Sequence, residues 1–122
     1  MTKKVLIVDD HRDVLDLLKI FLDRAGYEPL LADGAFAALA MLEQERPDAI
    51  ILDIMMPERS GIEVLENIRF SERNSDIPVL CLSAAAVTGE ARAFIDEFSA
   101  GLLDKRSIHT IVDHVRELIG PP

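Results

Sequence analysis

The sequence predicts a doubly wound α/β fold, a five-stranded parallel sheet with helices on both faces, and three observations lead to it. Apolar runs without polar alternation recur at residues 5–8, 49–52 and 79–82; strands of this kind are covered on both faces, as in parallel sheets. Segments with helical spacing alternate with these runs, and parallel strands need such crossover connections. The chain has 122 residues, enough for one domain with a real core.

The first strand, Val5-Leu6-Ile7-Val8, leads into a helix with the apolar stripe Val14, Leu15, Leu18, Phe21 and Leu22. Gly26 should stand just past its end. A weaker run, Leu30-Leu31-Ala32, marks the second strand. Pro29 beside it cannot donate to a ladder, which argues for an edge position. Ala35, Ala38, Leu39 and Leu42 stripe a second helix that has ended by Pro47. After the third strand, Ala49-Ile50-Ile51-Leu52, a third helix opens at Gly61 and carries Ile62, Leu65, Ile68 and Arg69. The fourth strand is Val79-Leu80-Cys81-Leu82, and residues 90–98 read as a short fourth helix. Leu102-Leu103 marks the fifth strand. Ser107 then reads as the N-cap of a fifth helix burying Ile108, Ile111, Val112, Val115 and Ile119. Right-handed crossovers leave chiefly the flavodoxin-like (βα)5 order 2-1-3-4-5, which puts strand two at an edge. The domain is expected over residues 1–120; Gly120-Pro121-Pro122 cannot continue a helix, and 121–122 read as a terminus or the start of a linker.

Composition narrows the function. Apolar residues make up 49% and charged residues 29%, ordinary for a soluble globular domain. No apolar run approaches the length of a membrane span, and the N-terminal run is too short for a signal-peptide core. One cysteine, Cys81, excludes an internal disulfide and fits a reducing, cytoplasmic setting. A net charge of −9 makes the domain a poor holder of nucleic acid.

In open α/β sheets ligands bind beyond the carboxyl ends of the strands, where strand order reverses. Strand one ends in Asp9-Asp10, strand three in Asp53, strand four in Ser83 and strand five in Asp104-Lys105. Asp9, Asp10 and Asp53, a hydroxyl and an ammonium thus converge on one rim. Carboxylates packed together repel, and a hard divalent cation resolves the repulsion; Mg²⁺ is commonly held by one or two carboxylates, waters and a phosphate oxygen. Asp53, at the centre, is placed to act as a nucleophile that forms an aspartyl-phosphate. Lys105 and Ser83 can each meet a phosphoryl oxygen.

These residues carry a family resemblance. Val8-Asp9-Asp10, the stretch from Pro47 through Asp53 to Met55-Met56-Pro57 with Gly61, then Ser83-Ala84 and Lys105, fall in order, with 30 residues from Asp53 to Ser83 and 22 more to Lys105. The chain resembles the receiver (REC) domains of bacterial two-component response regulators over essentially its whole length. That resemblance implies that Asp53 is the phosphorylation site. It also implies that Asp9, Asp10, Asp53 and the Met55 backbone carbonyl hold Mg²⁺, with Ser83 and Lys105 engaging the phosphoryl group. The implied partner is a sensor histidine kinase or histidine phosphotransfer protein. An output domain or partner protein downstream and homodimerisation on phosphorylation belong to the same expectation, as does a switching surface on helix 4, strand 5 and helix 5. The domain would be a signalling module that catalyses only its own phosphorylation and dephosphorylation.

Two positions depart from the family pattern. Arg106 follows Lys105 where the family usually has proline in a cis peptide, so a trans bond and a differently shaped loop are expected. Leu102 stands where Tyr or Phe usually swings inward. They motivate a second reading, an atypical receiver acting as a phosphorylation-independent interaction module. A turnover phosphatase is disfavoured because no second acid is placed to activate a leaving group, and a flavin-binding protein because no Gly/Ser/Thr-rich phosphate loop follows strand one. His11 reads as a solvated histidine opening a helix, His109 and His114 as surface residues, and Cys81 as a core residue.

Overall fold

A computed structural model describes residues 2–57 and 59–122. The elements alternate as β1 (Lys4–Val8), α1 (Arg12–Ala25), β2 (Glu28–Ala32), α2 (Ala35–Gln44), β3 (Ala49–Asp53), α3 (Gly61–Arg69), β4 (Val79–Ser83), α4 (Gly89–Phe98), β5 (Gly101–Asp104) and α5 (Ile111–Ile119), with a 3₁₀ turn over Lys105–Thr110 joining the last two. The sheet is parallel with the order β2-β1-β3-β4-β5, as expected. Pro29 lies in β2, which pairs only with β1, so its missing N–H costs no ladder bond on a far side. Among the described residues no helix is long and apolar enough to cross a membrane.

Strand geometry explains why the central runs are uniformly apolar. Successive side chains point to opposite faces, so Leu6, Val8, Ile50, Leu52, Val79 and Cys81 join one core, beneath α2, α3 and α4. Val5, Ile7, Ile51, Leu80 and Leu82 join the other, beneath α1 and α5. Both faces are covered, so both must be apolar.

The helices mostly follow their expected stripes. Leu15, Leu18 and Leu22 are the buried residues of α1, which ends with Gly26 in the left-handed region (φ 98°). In α3 the buried stripe is Gly61, Val64, Leu65 and Ile68, so Val64 takes the place expected for Ile62, which is only partly buried. The i, i+3, i+4, i+7 spacing runs from Gly61 itself. Ile95 alone is buried in α4; Phe94 and Phe98 are half-buried, their rings tilted to one another with centroids 4.6 Å apart, and Phe98 also lies 5.5 Å from the exposed Phe70 ring.

Helix five departs from expectation at its start. Ser107 is not its N-cap. The Asp104 carboxylate accepts from the Arg106 N–H at 2.8 Å and opens the 3₁₀ turn, while Ser107 kinks (φ −106°, ψ 17°) and α5 proper begins at Ile111. A carboxylate two residues upstream is a stronger local acceptor than a hydroxyl within the turn. Ile111 and Val115 are buried as expected, with Ile108, Val112 and Ile119 partly so. The helix is tied down at its end, where Tyr27 Oη donates to the Gly120 carbonyl at 2.6 Å and Lys3 Nζ to that of Ile119.

Candidate functional site

The rim at the carboxyl ends of β1, β3, β4 and β5 carries Asp9, Asp10, Asp53, Ser83 and, just past β5, Lys105. Ladder pairing of Val8 with Leu52 sets Asp9 and Asp53 on adjacent strand ends, and both are fully buried. Their inner oxygens are held by the backbone that turns away from the sheet. Asp9 Oδ1 accepts from the His11 N–H at 2.8 Å, and Asp53 Oδ1 from the Met55 N–H at 3.1 Å. Their outer oxygens converge on one ammonium: Lys105 Nζ lies 2.8 Å from Asp9 Oδ2 and 3.3 Å from Asp53 Oδ2. The Asp10 side chain is about one-quarter exposed (26%) and its Oδ1 completes the cluster.

Gly61 fixes the floor of this site. A Cβ there would lie 2.3 Å from the Asp53 carbonyl oxygen and 2.4 Å from Ile54 Cα, so only glycine lets α3 start against the loop leaving β3. Its N–H donates to the Ile54 carbonyl at 3.2 Å, and the Ser60 hydroxyl caps α3 by accepting from Glu63 N–H at 3.3 Å.

Electrostatics follow from the crowding. Burial pushes the Asp53 carboxyl up to about 6; the Asp9 charge adds to this, while the Met55 N–H and Lys105 oppose it. Burial by itself would lower Lys105, but Asp9 and Asp53 outweigh it and hold the ammonium above its ordinary value. At the edge, the Arg106 guanidinium brings the half-buried Asp104 down to about 2.

Lys105 reaches inward although Arg106 follows it and, among the described residues, no peptide bond is cis. The bidentate Arg106–Asp104 pair (3.1 and 2.8 Å) and the Asp104 cap hold the loop that follows β5. Ser83 is buried, but its hydroxyl is engaged elsewhere, closing a turn with Ala85 (accepting from its N–H at 3.2 Å, donating to its carbonyl) and lying 3.4 Å from Met55 Sδ. It makes no hydrogen bond to Asp53 or Lys105 among the described residues. Leu102 is half-buried and lines a groove of about 360 Å³ with Ser83, Val87, Thr88 and Arg92.

Sequence reasoning placed His11 in solvent. Its side chain is 61% exposed, yet Nδ1 faces inward, 3.1 Å from Asp9 Oδ1, 3.3 Å from Asp10 Oδ1 and 3.3 Å from Lys105 Nζ. Its place beside the acid pair was the available signal. His109 is exposed as expected, whereas His114 is half-buried, a correction that follows from its place beside Val115 on α5. Cys81 is fully buried, and burial raises its thiol to about 11.

The cluster has the donor set of a divalent-cation site. One donor atom each from Asp9, Asp10, His11 and Asp53 falls within a 4.8 Å span, and Asp9 Oδ2, Asp10 Oδ1 and Asp53 Oδ2 are buried with no geometrically sound hydrogen bond. Lys105 Nζ offsets part of the charge on Asp9 and Asp53, and Asp10 adds a third carboxylate, so the donor set suits a divalent cation.

Comparison with known proteins agrees with this geometry. Response regulator MprA of Mycobacterium bovis is 37% identical over 105 residues, covering 86% of this chain and 45% of that protein. Chemotaxis protein CheY4 of Vibrio cholerae superposes with a TM-score of 0.88 at 28% identity, covering 97% of this chain and 99% of that one. The response regulator TrrA of Thermotoga maritima, solved in complex with Mg²⁺-BeF, gives a TM-score of 0.82 at 28% identity, covering 96% and 99%. The chain spans less than half the length of the curated relatives it matches. Residues 5–116 match the response regulator receiver domain family, and the chain belongs to it.

Proposed function

We propose that this domain, over residues 1–120, accepts a phosphoryl group on Asp53 from the phosphohistidine of a sensor kinase or histidine phosphotransfer protein. The observation that carries the reading is the pair of fully buried carboxylates, Asp9 and Asp53, sharing the Lys105 ammonium at 2.8 and 3.3 Å. A receiver domain is a signalling module, not a turnover enzyme, and a phosphate-independent interaction module would have no use for acids buried at such electrostatic cost.

The residues divide the work as follows. Met55 N–H holds Asp53 Oδ1, which leaves Oδ2 to attack phosphorus as the bond from phosphorus to the histidine nitrogen breaks. Lys105, already beside Oδ2, follows the new negative charge on the phosphoryl oxygens. Ser83 exchanges its turn with Ala85 for a hydrogen bond to another phosphoryl oxygen, which pulls on the loop leading to α4. Asp9, Asp10, Asp53 and the Met55 carbonyl would hold Mg²⁺, whose charge screens the nucleophile from the incoming group. The Mg²⁺ in the TrrA complex supports that choice of ion.

The moving surface is α4, β5 and α5, and α4 has a single fully buried residue to anchor it. Leu102 replaces an inward-swinging ring, so loop and helix displacement carry the signal without aromatic rotation. An output domain or partner protein, homodimerisation on phosphorylation, and a cytoplasmic location complete the proposal. The test is intact-protein mass after incubation with Mg²⁺ and a small acyl phosphate. One phosphoryl group should add to the wild type and none to Asp53→Ala; equal addition to both would overturn the assignment.

A further inference from the structure

We infer that His11 supplies a nitrogen donor to the cation site through Nδ1, so that the pocket favours borderline first-row cations such as Co²⁺ and Ni²⁺ more than its carboxylates alone would. This rests on reading the acid cluster as a cation site and adds the ion class it selects.

Three observations support it. First, the side chain is 61% exposed, so packing does not dictate where its ring points. Second, His11 holds the N-cap position of α1 but makes no side-chain cap bond; the imidazole turns to the acids instead of to the free helix N–H groups. Third, Nδ1 faces two carboxylate oxygens, at 3.1 and 3.3 Å, and the Lys105 ammonium, at 3.3 Å. A protonated Nδ1 suits the carboxylates and opposes the ammonium, and a bare Nδ1 does the reverse. A cation among the three donors, with Lys105 drawn away to a phosphoryl oxygen, satisfies the nitrogen lone pair and both carboxylates together.

The spacing fits as well. Adjacent donors of an octahedron stand √2 bond lengths apart, so bonds of about 2.1–2.3 Å separate them by roughly 3.0–3.3 Å. The observed 3.1 and 3.3 Å fall within that range. Mg²⁺ favours oxygen donors, whereas imidazole suits the later first-row ions, so one nitrogen shifts the ranking of ions without removing the Mg²⁺ site.

Pulsed electron paramagnetic resonance of the wild-type protein loaded with Mn²⁺ tests this directly. Nitrogen modulation from a bound imidazole is expected, and its loss in His11→Gln. In competition titrations, His11→Gln should lower the Ni²⁺-to-Mg²⁺ affinity ratio by roughly tenfold or more. Saturable Mn²⁺ binding without nitrogen modulation, or an unchanged ratio, overturns the role of His11 and leaves the cation site standing. Absence of saturable Mn²⁺ and Mg²⁺ binding in the wild type overturns both.

Discussion

Asp53 illustrates how a single side chain sets opposing demands on stability and chemistry. Its folded value of about 6 lies above the roughly 3.9 expected of an unfolded aspartate, so the folded protein binds the proton more tightly. The ion-free protein therefore loses stability as pH rises from about 4 to 6, and above that window Asp53 carries its full penalty. Asp53→Asn should raise ion-free stability at neutral pH by about 1–3 kcal/mol and flatten that decline, as read by urea unfolding across the pH range. Lys105→Met should act in the opposite sense. It leaves two buried carboxylates facing each other and costs about 3 kcal/mol without metal, with most of the loss recovered in excess Mg²⁺. His11 shows the limit of residue-level reading: its type and position were plain, but the direction of its ring was not.

At the scale of elements, the connections decide the geometry of the site. Gly61→Ala forces a Cβ into the backbone leaving β3, so it should destabilise the fold by about 1–3 kcal/mol and reduce Asp53 phosphorylation. A melting temperature unchanged from wild type would contradict this. Arg69 at the end of α3 works differently. Its guanidinium donates to the carbonyls of Phe98 (2.8 Å), Ser75 (2.6 Å) and Ile77 (3.1 Å), lashing the end of α4 to the segment entering β4. Arg69→Met should cost about 2–3 kcal/mol, and amide exchange in α4 should speed up more than in α1. The start of α5 teaches the same lesson. Ser107 looked like a cap because serines cap helices, but Asp104, one strand end away, captured the turn first and so set the direction of Lys105.

For the molecule as a whole, folding assembles a charged pocket, and a cation bound there would stabilise the folded state. At a Mg²⁺ concentration one hundred times the dissociation constant, unfolding should become harder by about 2.7 kcal/mol, and the gain should vanish in Asp9→Asn/Asp53→Asn. Equal Mg²⁺ stabilisation of that double variant would place the ion elsewhere. Much of this architecture was legible beforehand. Apolar runs at strand spacing fixed the strands, Pro29 the edge, and strand-end residues the rim, because each depends on local chemistry and on topology rules shared by all parallel sheets. The stripe through Val64 was partly missed, since a helix's phase is settled only when it docks. What the sequence determined by itself was the fold, the strand order and the set of acids, lysine and hydroxyl at the site. What only the tertiary structure decided was orientation: Lys105 reaching both acids despite Arg106, Ser83 held by Ala85, and His11 turned toward the carboxylates. Those directions depend on hydrogen bonds between loops far apart in the chain, and no local pattern encodes them.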